Sequence, residues 1–247
     1  MSPESLPDPG HREIFATTRW SLVLNAGTDD PTHGDAALEQ LCRSYWTPIY
    51  AYTCRTGVPP ESARDLTQKF FATLLEKRWL QRADRDRGRF RNFLLTYLKR
   101  FLADERQRES AQKRGSGREV LSLEDLAGDE GAVFGPSAAR TPECEYDRQW
   151  ALTTLKNALQ QLQAEAIQHG QATLFEALQG RLTEGGSAES LAAIGQRFGL
   201  GESAVKMRLT RWRTRYQELI RSEVAQTVPQ RADINEELRH LMDALVQ

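Results

Sequence analysis

A cationic helix between residues 90 and 108 is the stretch of this sequence best suited to bind a polyanion. Its apolar residues recur at helical spacing and form one stripe that a protein core would cover. The stripe consists of Phe90, Phe93, Leu94, Tyr97, Leu98, Phe101 and Leu102. The bases lie off the stripe or just beyond it, at Arg91, Lys99, Arg100, Arg106 and Arg108. Such a helix can dock on a protein while it presents charge to the phosphates of a nucleic acid.

A second basic helix follows about a hundred residues later, in a helix-turn-helix pattern. Leu191, Ile194 and Phe198 form the apolar face of a short first helix, and Gly199-Leu200-Gly201 supplies a tight turn, since glycine permits positive φ. The apolar face of the second helix consists of Val205, Leu209, Trp212, Tyr216 and Leu219. Two such basic helices suggest a protein that contacts DNA at two separated places.

The N-terminal part of the second helix in such a motif enters the major groove. The residues predicted to face base edges are Ser203 and Lys206, together with Glu202, Met207 and Thr210. The residues predicted to meet phosphates are Arg208, Arg211, Arg213 and Arg215. The alternative is a pair of packed surface helices whose bases only keep them in solution. The absence of acids from 203 to 217 favours DNA, because a solvated face normally mixes both signs.

Charge alternates along a chain whose formal net charge is only −1. The net charge is +8 over residues 76–118, −7 over 119–147 and +5 over 203–222. An acidic tether between two basic modules would be repelled by duplex DNA and attracted to a cationic protein channel. A solvated disordered spacer explains the same composition equally well.

The sequence predicts an all-α fold of two small helical domains joined by a flexible acidic linker. The predicted boundaries are 1–112 for the first domain, 113–148 for the linker, 149–228 for the helix-turn-helix domain and 229–247 for a C-terminal helix. Two further helix starts are expected, one near Trp20 and one at Thr47-Pro48, where a cap precedes a proline. No alternating strand pattern of useful length occurs.

Catalysis and cofactor binding find no support in the residue pattern. Four histidines, His11, His33, His169 and His240, are scattered without metal-ligand spacing, and no nucleophile-elbow or phosphate-loop motif occurs. The three cysteines lack CxxC spacing, which fits a reduced compartment better than a disulfide scaffold. Because the sequence has no signal region and no membrane-length apolar run, we expect a cytoplasmic protein without a membrane partner. The missing motifs predict that it is not an enzyme and has no cofactor.

Three segments resemble bacterial RNA polymerase sigma factors of the extracytoplasmic-function (ECF) group. Asp65 to Leu75 resembles the Asp-Leu-x-Gln-x-x-Phe helix of that family. Phe90 to Arg108 is similar to the promoter-melting helix that reads the minus-ten element, and Leu191 to Leu219 to the helix-turn-helix that reads the minus-thirty-five element. The order and spacing of the segments match the two-domain group.

The resemblance implies roles for individual residues. Asp65, Gln68 and Phe71 would dock on the clamp helices of the polymerase β′ subunit, with Leu66 and Phe70 in the core. The loop 80–90 would capture a flipped base, and the residues implied for the single strand are Arg82, Arg85, Arg87, Arg89, Arg91, Lys99 and Arg100. At position 100 many members carry asparagine, so a phosphate contact is expected there instead of base reading. The aromatic residues Phe93, Tyr97 and Phe101 could stack on a base, although core packing is favoured for each.

The implied function is a sigma factor that binds core RNA polymerase, including its β subunit, directs it to specific promoters and assists strand opening. Promoter DNA is the second implied partner, and the resemblance also allows an anti-sigma factor or another regulator as a third. Two alternatives remain open: a helix-turn-helix regulator that binds duplex DNA without polymerase, and an interaction protein that uses only its terminal helices. The first leaves the helix at Asp65–Leu75 unexplained. The second predicts no effect of charge reversal at Lys206 and Arg211.

Overall fold

The computed structural model describes residues 31–76, 88–115, 140–183, 189–228 and 230–246. In these residues the chain is 87% helical and has no strand, which confirms the all-α fold class. The helices are α1 Pro31–Arg55, α2 Pro60–Glu76, α3 Phe90–Gly115, α4 Pro142–Gln168, α5 Ala172–Thr183, α6 Leu191–Arg197, α7 Glu202–Ala225 and α8 Ile234–Val246. A 3-10 turn, Arg231–Asp233, leads into α8. No helix within this described part is long and apolar enough to cross a bilayer.

The first hydrophobic core is built around the apolar stripe of α3. Phe90, Leu94 and Leu98 are fully buried there, as their helical spacing predicts. α1, α2 and the start of α4 pack around the stripe, and Tyr146 and Trp150 of α4 are among the largest fully buried side chains. The end of α7 and the apolar face of α8 complete the same core. The N-terminal and C-terminal parts of the chain therefore share one core.

The second core lies beneath α6 and α7. Leu162 of α4, Phe175 of α5 and Ile194 of α6 are buried in it. Trp212 of α7 packs edge-to-face on Phe175, with the ring centroids 5.3 Å apart. Because α4 contributes Trp150 to the first core and Leu162 to the second, this one helix connects the two cores.

The first core draws residues from several of the predicted segments, and the domain boundaries stay a prediction. Residues assigned to 1–112, 149–228 and 229–247 all contribute to the first core. Whether those segments fold independently stays a prediction. In the folded chain they are packed together, because the apolar faces of α7 and α8 are buried against the α4 helix and its neighbours.

Both ends of the predicted linker 113–148 are helical. Its first three residues end α3, and its last seven form the first turns of α4. Thr141 caps α4 by accepting a hydrogen bond from the Cys144 amide at 3.2 Å, and Pro142 occupies the first turn, where the missing N–H costs nothing. Residues 116–139 lie outside the described residues.

Thr47 and Pro48 do not begin a new helix, and that prediction is wrong. α1 runs unbroken through Pro48. A proline inside a helix removes one backbone hydrogen bond and costs about 3 kcal/mol. Tyr45 and Ile49, on either side of it, are fully buried in the first core, and this burial offsets the cost. The helix predicted near Trp20 lies outside the described residues.

Candidate nucleic-acid interface

Arg91 is buried, which corrects its predicted location on the cationic face of α3. Its guanidinium is 4% exposed and lies 5.2 Å from the ring centroid of Trp150. Nε donates to Glu237 at 2.7 Å and Nη1 to Asp147 at 2.5 Å. Burial alone would lower the pKa of Arg91, but these two carboxylates outweigh it and raise the pKa above its usual value. In this arrangement Arg91 is not available to DNA.

Arg89, one residue before α3, is also held by acids of α8. Its Nη2 lies 2.5 Å from Glu236 and its Nε lies 2.9 Å from Glu237. The three other arginines implied for the single strand by loop 80–90, Arg82, Arg85 and Arg87, lie outside the described residues. The guanidinium groups of Arg89 and Arg91 therefore face carboxylates instead of solvent.

Lys99 and Arg100, two turns further along α3, are exposed. Lys99 Nζ lies 2.7 Å from Glu143 of α4, and this hydrogen bond raises the pKa of Lys99 and lowers that of Glu143. Exposed pairs of this kind contribute about 0–1 kcal/mol, so phosphate can readily replace Glu143. Arg100 has no ion pair among the described residues.

Two aromatic side chains accompany Arg100. Phe93 and Tyr97 are half-buried, and their ring centroids are 4.5 Å apart. Phe101, the third candidate for stacking, is buried beside Phe70. Residues 93, 97 and 100 share one face of a helix because they are spaced by four and three. The arrangement can offer an aromatic surface and a guanidinium group to the same strand.

The predicted polymerase-binding residues of α2 divide between surface and core. Asp65 and Gln68 are exposed. Phe71 is 4% exposed and stacks on Trp46, with the ring centroids 5.9 Å apart and the planes inclined by 6°. Phe70 is fully buried as predicted, and Leu66 is half-buried against the same core. Phe71 thus fixes the position of α2, while Asp65 and Gln68 lie on its outer surface.

A tight turn joins α6 to α7. Ser190 caps α6, and the Leu200 amide donates to the Gly195 carbonyl at 2.8 Å. Gly199 has φ +67°, in the left-handed region that glycine favours. A Cβ on Gly195 would lie 2.6 Å from the Leu200 carbonyl oxygen, so no side chain fits between the turn and α6.

Gly195→Ala is expected to destabilise the second core by about 1–3 kcal/mol, the cost of forcing one carbon into a packed site. The Leu200 carbonyl is backbone and cannot move without displacing the turn. Chemical denaturation followed by circular dichroism measures the loss. Gly201→Ala is the control, because a Cβ at that position has no atom within 4 Å. Equal effects of both substitutions would contradict this account.

The N-terminal half of α7 presents a mixed polar and apolar patch. Its exposed members are Glu202, Ser203, Lys206, Met207, Thr210 and Arg211. Lys206 Nζ lies 2.7 Å from Glu202, and Arg211 makes a long contact of 3.5 Å to the Met207 sulfur. Met207 is 55% exposed and gives the patch an apolar surface. The patch can offer donors, a methyl surface and charge to a groove.

Three other arginines of α7 bind the protein itself. Arg208 is half-buried and donates to Gln171 at 2.8 Å, and Arg213 donates to the Arg181 carbonyl at 2.9 Å. Arg215 donates through Nε and Nη2 to Glu165, which raises the pKa of Arg215 and lowers that of Glu165. These contacts explain why the bases of the acid-free stretch 203–217 need not all face DNA.

The sequence pattern does not identify the acidic partners of Arg89 and Arg91. Asp147 lies in the predicted linker, and Glu236 and Glu237 lie in the predicted C-terminal helix. For Asp147 one signal is the net charge of −7 over 119–147 that follows a segment of +8, since opposite tracts of similar size can pair in the fold, but Glu236 and Glu237 lie outside that segment. Among the described residues, no group of three or more His, Cys, Asp or Glu side chains could hold a metal ion.

Comparison with known proteins gives one match. Residues 59–222, more than half of the chain, match a family model described as ECF sigma factor. The matched region begins just before α2 and ends in the last turns of α7, so it includes α3 and the α6–α7 turn. Comparisons with curated proteins and with solved structures found no match.

Proposed function

The chain belongs to the ECF sigma factor family, and we propose that it binds core RNA polymerase, directs the enzyme to specific promoters and assists strand opening. Sigma factors act in transcription initiation, with core polymerase and promoter DNA as partners. The observation that carries the proposal is the match over 59–222, since one family model covers α2, α3 and the α6–α7 pair. Catalysis belongs to the polymerase, and this chain supplies recognition.

Polymerase docking is assigned to the outer face of α2. Asp65 and Gln68 are one helical turn apart and exposed, so both can contact one partner surface. Phe71 and Phe70 hold the opposite face of α2 in the first core. A carboxylate and an amide held on a rigid helix can form charge-assisted hydrogen bonds with basic residues of the clamp helices.

Contact with the opened strand is assigned to the face of α3 that carries Phe93, Tyr97 and Arg100. Stacking of a base on an aromatic ring contributes about 1–3 kcal/mol and tolerates any base, because every base has a π-face. Arg100 lies one turn further along and can bind the adjoining phosphate. Lys99 joins it when phosphate replaces Glu143.

Recognition of duplex DNA is assigned to the exposed patch at the start of α7. Lys206 and Thr210 lie on the same face, and Met207 offers an apolar surface suited to a thymine methyl group. The pair between Lys206 and Glu202 is exposed and contributes about 0–1 kcal/mol, so it does not prevent Lys206 from turning to DNA. Arg211 would bind phosphate. An anti-sigma factor or another regulator remains a prediction of the resemblance.

Capture by core RNA polymerase tests the proposal. We expect immobilised core to retain the wild-type chain and to lose an Asp65→Ala/Gln68→Ala variant. Each lost charge-assisted hydrogen bond costs about 1.5–3 kcal/mol, so affinity falls by about tenfold or more. Phe71 is left unchanged because its substitution would disturb the core.

The matched control is Asp104→Ala/Gln107→Ala. These two residues are also an exposed aspartate and glutamine three positions apart, but on α3. The control should be captured like the wild type. No capture of the wild type, together with tight binding to duplex DNA alone, would favour a regulator that works without polymerase.

A further inference from the structure

The bases at the start of α3 are held by carboxylates from distant parts of the chain. Arg89 and Arg91 together contact Glu236 and Glu237 of α8, and Arg91 also contacts Asp147 of α4. We call these three acids the acidic latch. Carboxylates and phosphates bind guanidinium groups in the same bidentate geometry, so the acidic latch occupies the donors that a nucleic acid would use.

Further contacts hold the start of α3 against α4, α8 and the segment between α7 and α8. The Phe90 amide donates to the Thr227 carbonyl at 3.2 Å, in the segment between α7 and α8. The Tyr146 hydroxyl donates to the Arg91 carbonyl at 3.1 Å. Ile234 and Leu241 of α8 are buried in the first core. The start of α3 is thus tied to the C-terminal part of the chain by charge, by hydrogen bonds and by apolar packing.

We propose that the acidic latch is an autoinhibitory contact: α8 holds Arg89 and Arg91 away from DNA in the free chain, and its release makes both available to phosphates. The inference rests on the proposed function for one point only, that α3 faces single-stranded DNA. It adds a role for α8, which lies beyond the matched residues 59–222.

The two acids of α8 differ in burial, and this difference determines how the contact can open. The side chain of Glu237 is fully buried between the two arginines, whereas that of Glu236 is 65% exposed. A buried acid is expensive to leave unpaired, so Glu237 departs only if α8 moves as a whole. A polyanion can first compete with the exposed Glu236 for Arg89. Its binding there would weaken the contacts that hold α8 against the start of α3.

Glu237→Gln tests the proposal on the full chain without polymerase. The readouts are the affinity for an oligothymidine strand at several salt concentrations and hydrogen exchange of the amides of residues 234–246. We expect faster exchange in α8 and an affinity at least about tenfold higher, since each new charge-assisted contact is worth that much. The slope of log K against log salt should steepen by about 1.4, because each phosphate contact on a single strand adds about 0.7.

Glu223→Gln is the matched control. Glu223 is also a buried acid, in α7, and it accepts from Gln161 at 2.7 Å. This variant makes the same change of charge at a similarly buried site, and its salt slope should equal that of the wild type. Equal slopes for Glu237→Gln and Glu223→Gln would overturn the proposal and leave Arg91 as a structural residue.

A variant at the exposed acid keeps the test decisive if Glu237→Gln fails to fold. Glu236→Gln frees the Nη2 donor of Arg89 while Nε stays beside Glu237, and one new phosphate contact should steepen the slope by about 0.7. Asp243→Asn, an exposed acid on the same helix, should not change it. An unchanged slope in Glu236→Gln would then overturn the proposal. Polymerase capture is measured separately, so a failure of the sigma assignment can be distinguished from a failure of the acidic-latch proposal.

Discussion

Trp150→Ala is expected to lower the free energy of unfolding by about 3–5 kcal/mol, the range for truncating a buried aromatic side chain. Trp150 is fully buried where α4 meets the apolar face of α8, and its ring lies 5.2 Å from the Arg91 guanidinium. The substitution leaves a cavity and removes this cation–π contact as well. Chemical denaturation followed by circular dichroism measures the change.

The same variant tests whether the two cores unfold together. α4 belongs to both, so the loss at Trp150 should also reduce protection of the second-core amides in α6 and α7. Leu152→Ala is the control on the same helix, because Leu152 is 38% exposed and should cost only about 0.5 kcal/mol. Unchanged protection in α6 and α7 after Trp150→Ala would show that the cores are independent.

Periodicity was enough to predict the helices that position the site. Five residues of the α3 stripe are buried as predicted, Phe90, Leu94, Leu98, Phe101 and Leu102, whereas Phe93 and Tyr97 are half-buried. Val205, Leu209 and Trp212 of α7 are buried as predicted too. These faces follow from local spacing, because a helix with apolar residues three and four apart must bury one side. The all-α class follows from the same pattern.

Local spacing could not predict which elements cover a given face. Arg91 lies one residue after Phe90 and looks like a surface base, but α4 and α8 close over it. Leu152 has an apolar side chain in a helical pattern and is exposed instead. Pro48 signals a helix start by its local chemistry, and tertiary packing overrides that signal. Each outcome depends on contacts between residues far apart in the sequence.

The predicted site therefore separates into two classes of residue. Lys99, Arg100, Lys206 and Arg211 keep exposed positions that can reach DNA directly. Arg89 and Arg91 are engaged by acids, and their access depends on the position of α8. Under the proposed function the distinction matters, because exposed bases could contact DNA directly, whereas paired bases could do so only after a conformational change.

Arg91→Met is expected to cost about 3 kcal/mol of folding free energy, the lower end of the range for breaking a buried ion pair. The loss leaves Glu237 without its contact at 2.7 Å in a fully buried position. Arg89, at 2.9 Å from the other oxygen of Glu237, limits the penalty. Denaturant titration followed by circular dichroism gives the value. Arg221→Met is the control, since Arg221 also contacts the start of α8, at Asn235, but on the surface.

The double variant Arg91→Met/Glu237→Met tests whether the ion pair between these two residues stabilises the fold or costs folding free energy. Replacing both charges by apolar side chains removes the cost of desolvating them, and such replacements are often neutral or stabilising. We expect the double variant to be more stable than the sum of the single losses by about 0.5–3 kcal/mol, the coupling typical of residues in contact. Additive losses would mean that Arg91 and Glu237 do not interact, which would remove the energetic basis of the acidic latch. A double variant as stable as the wild type would mean that the charges are dispensable for folding, which is consistent with the proposed role of the pair in controlling access to DNA.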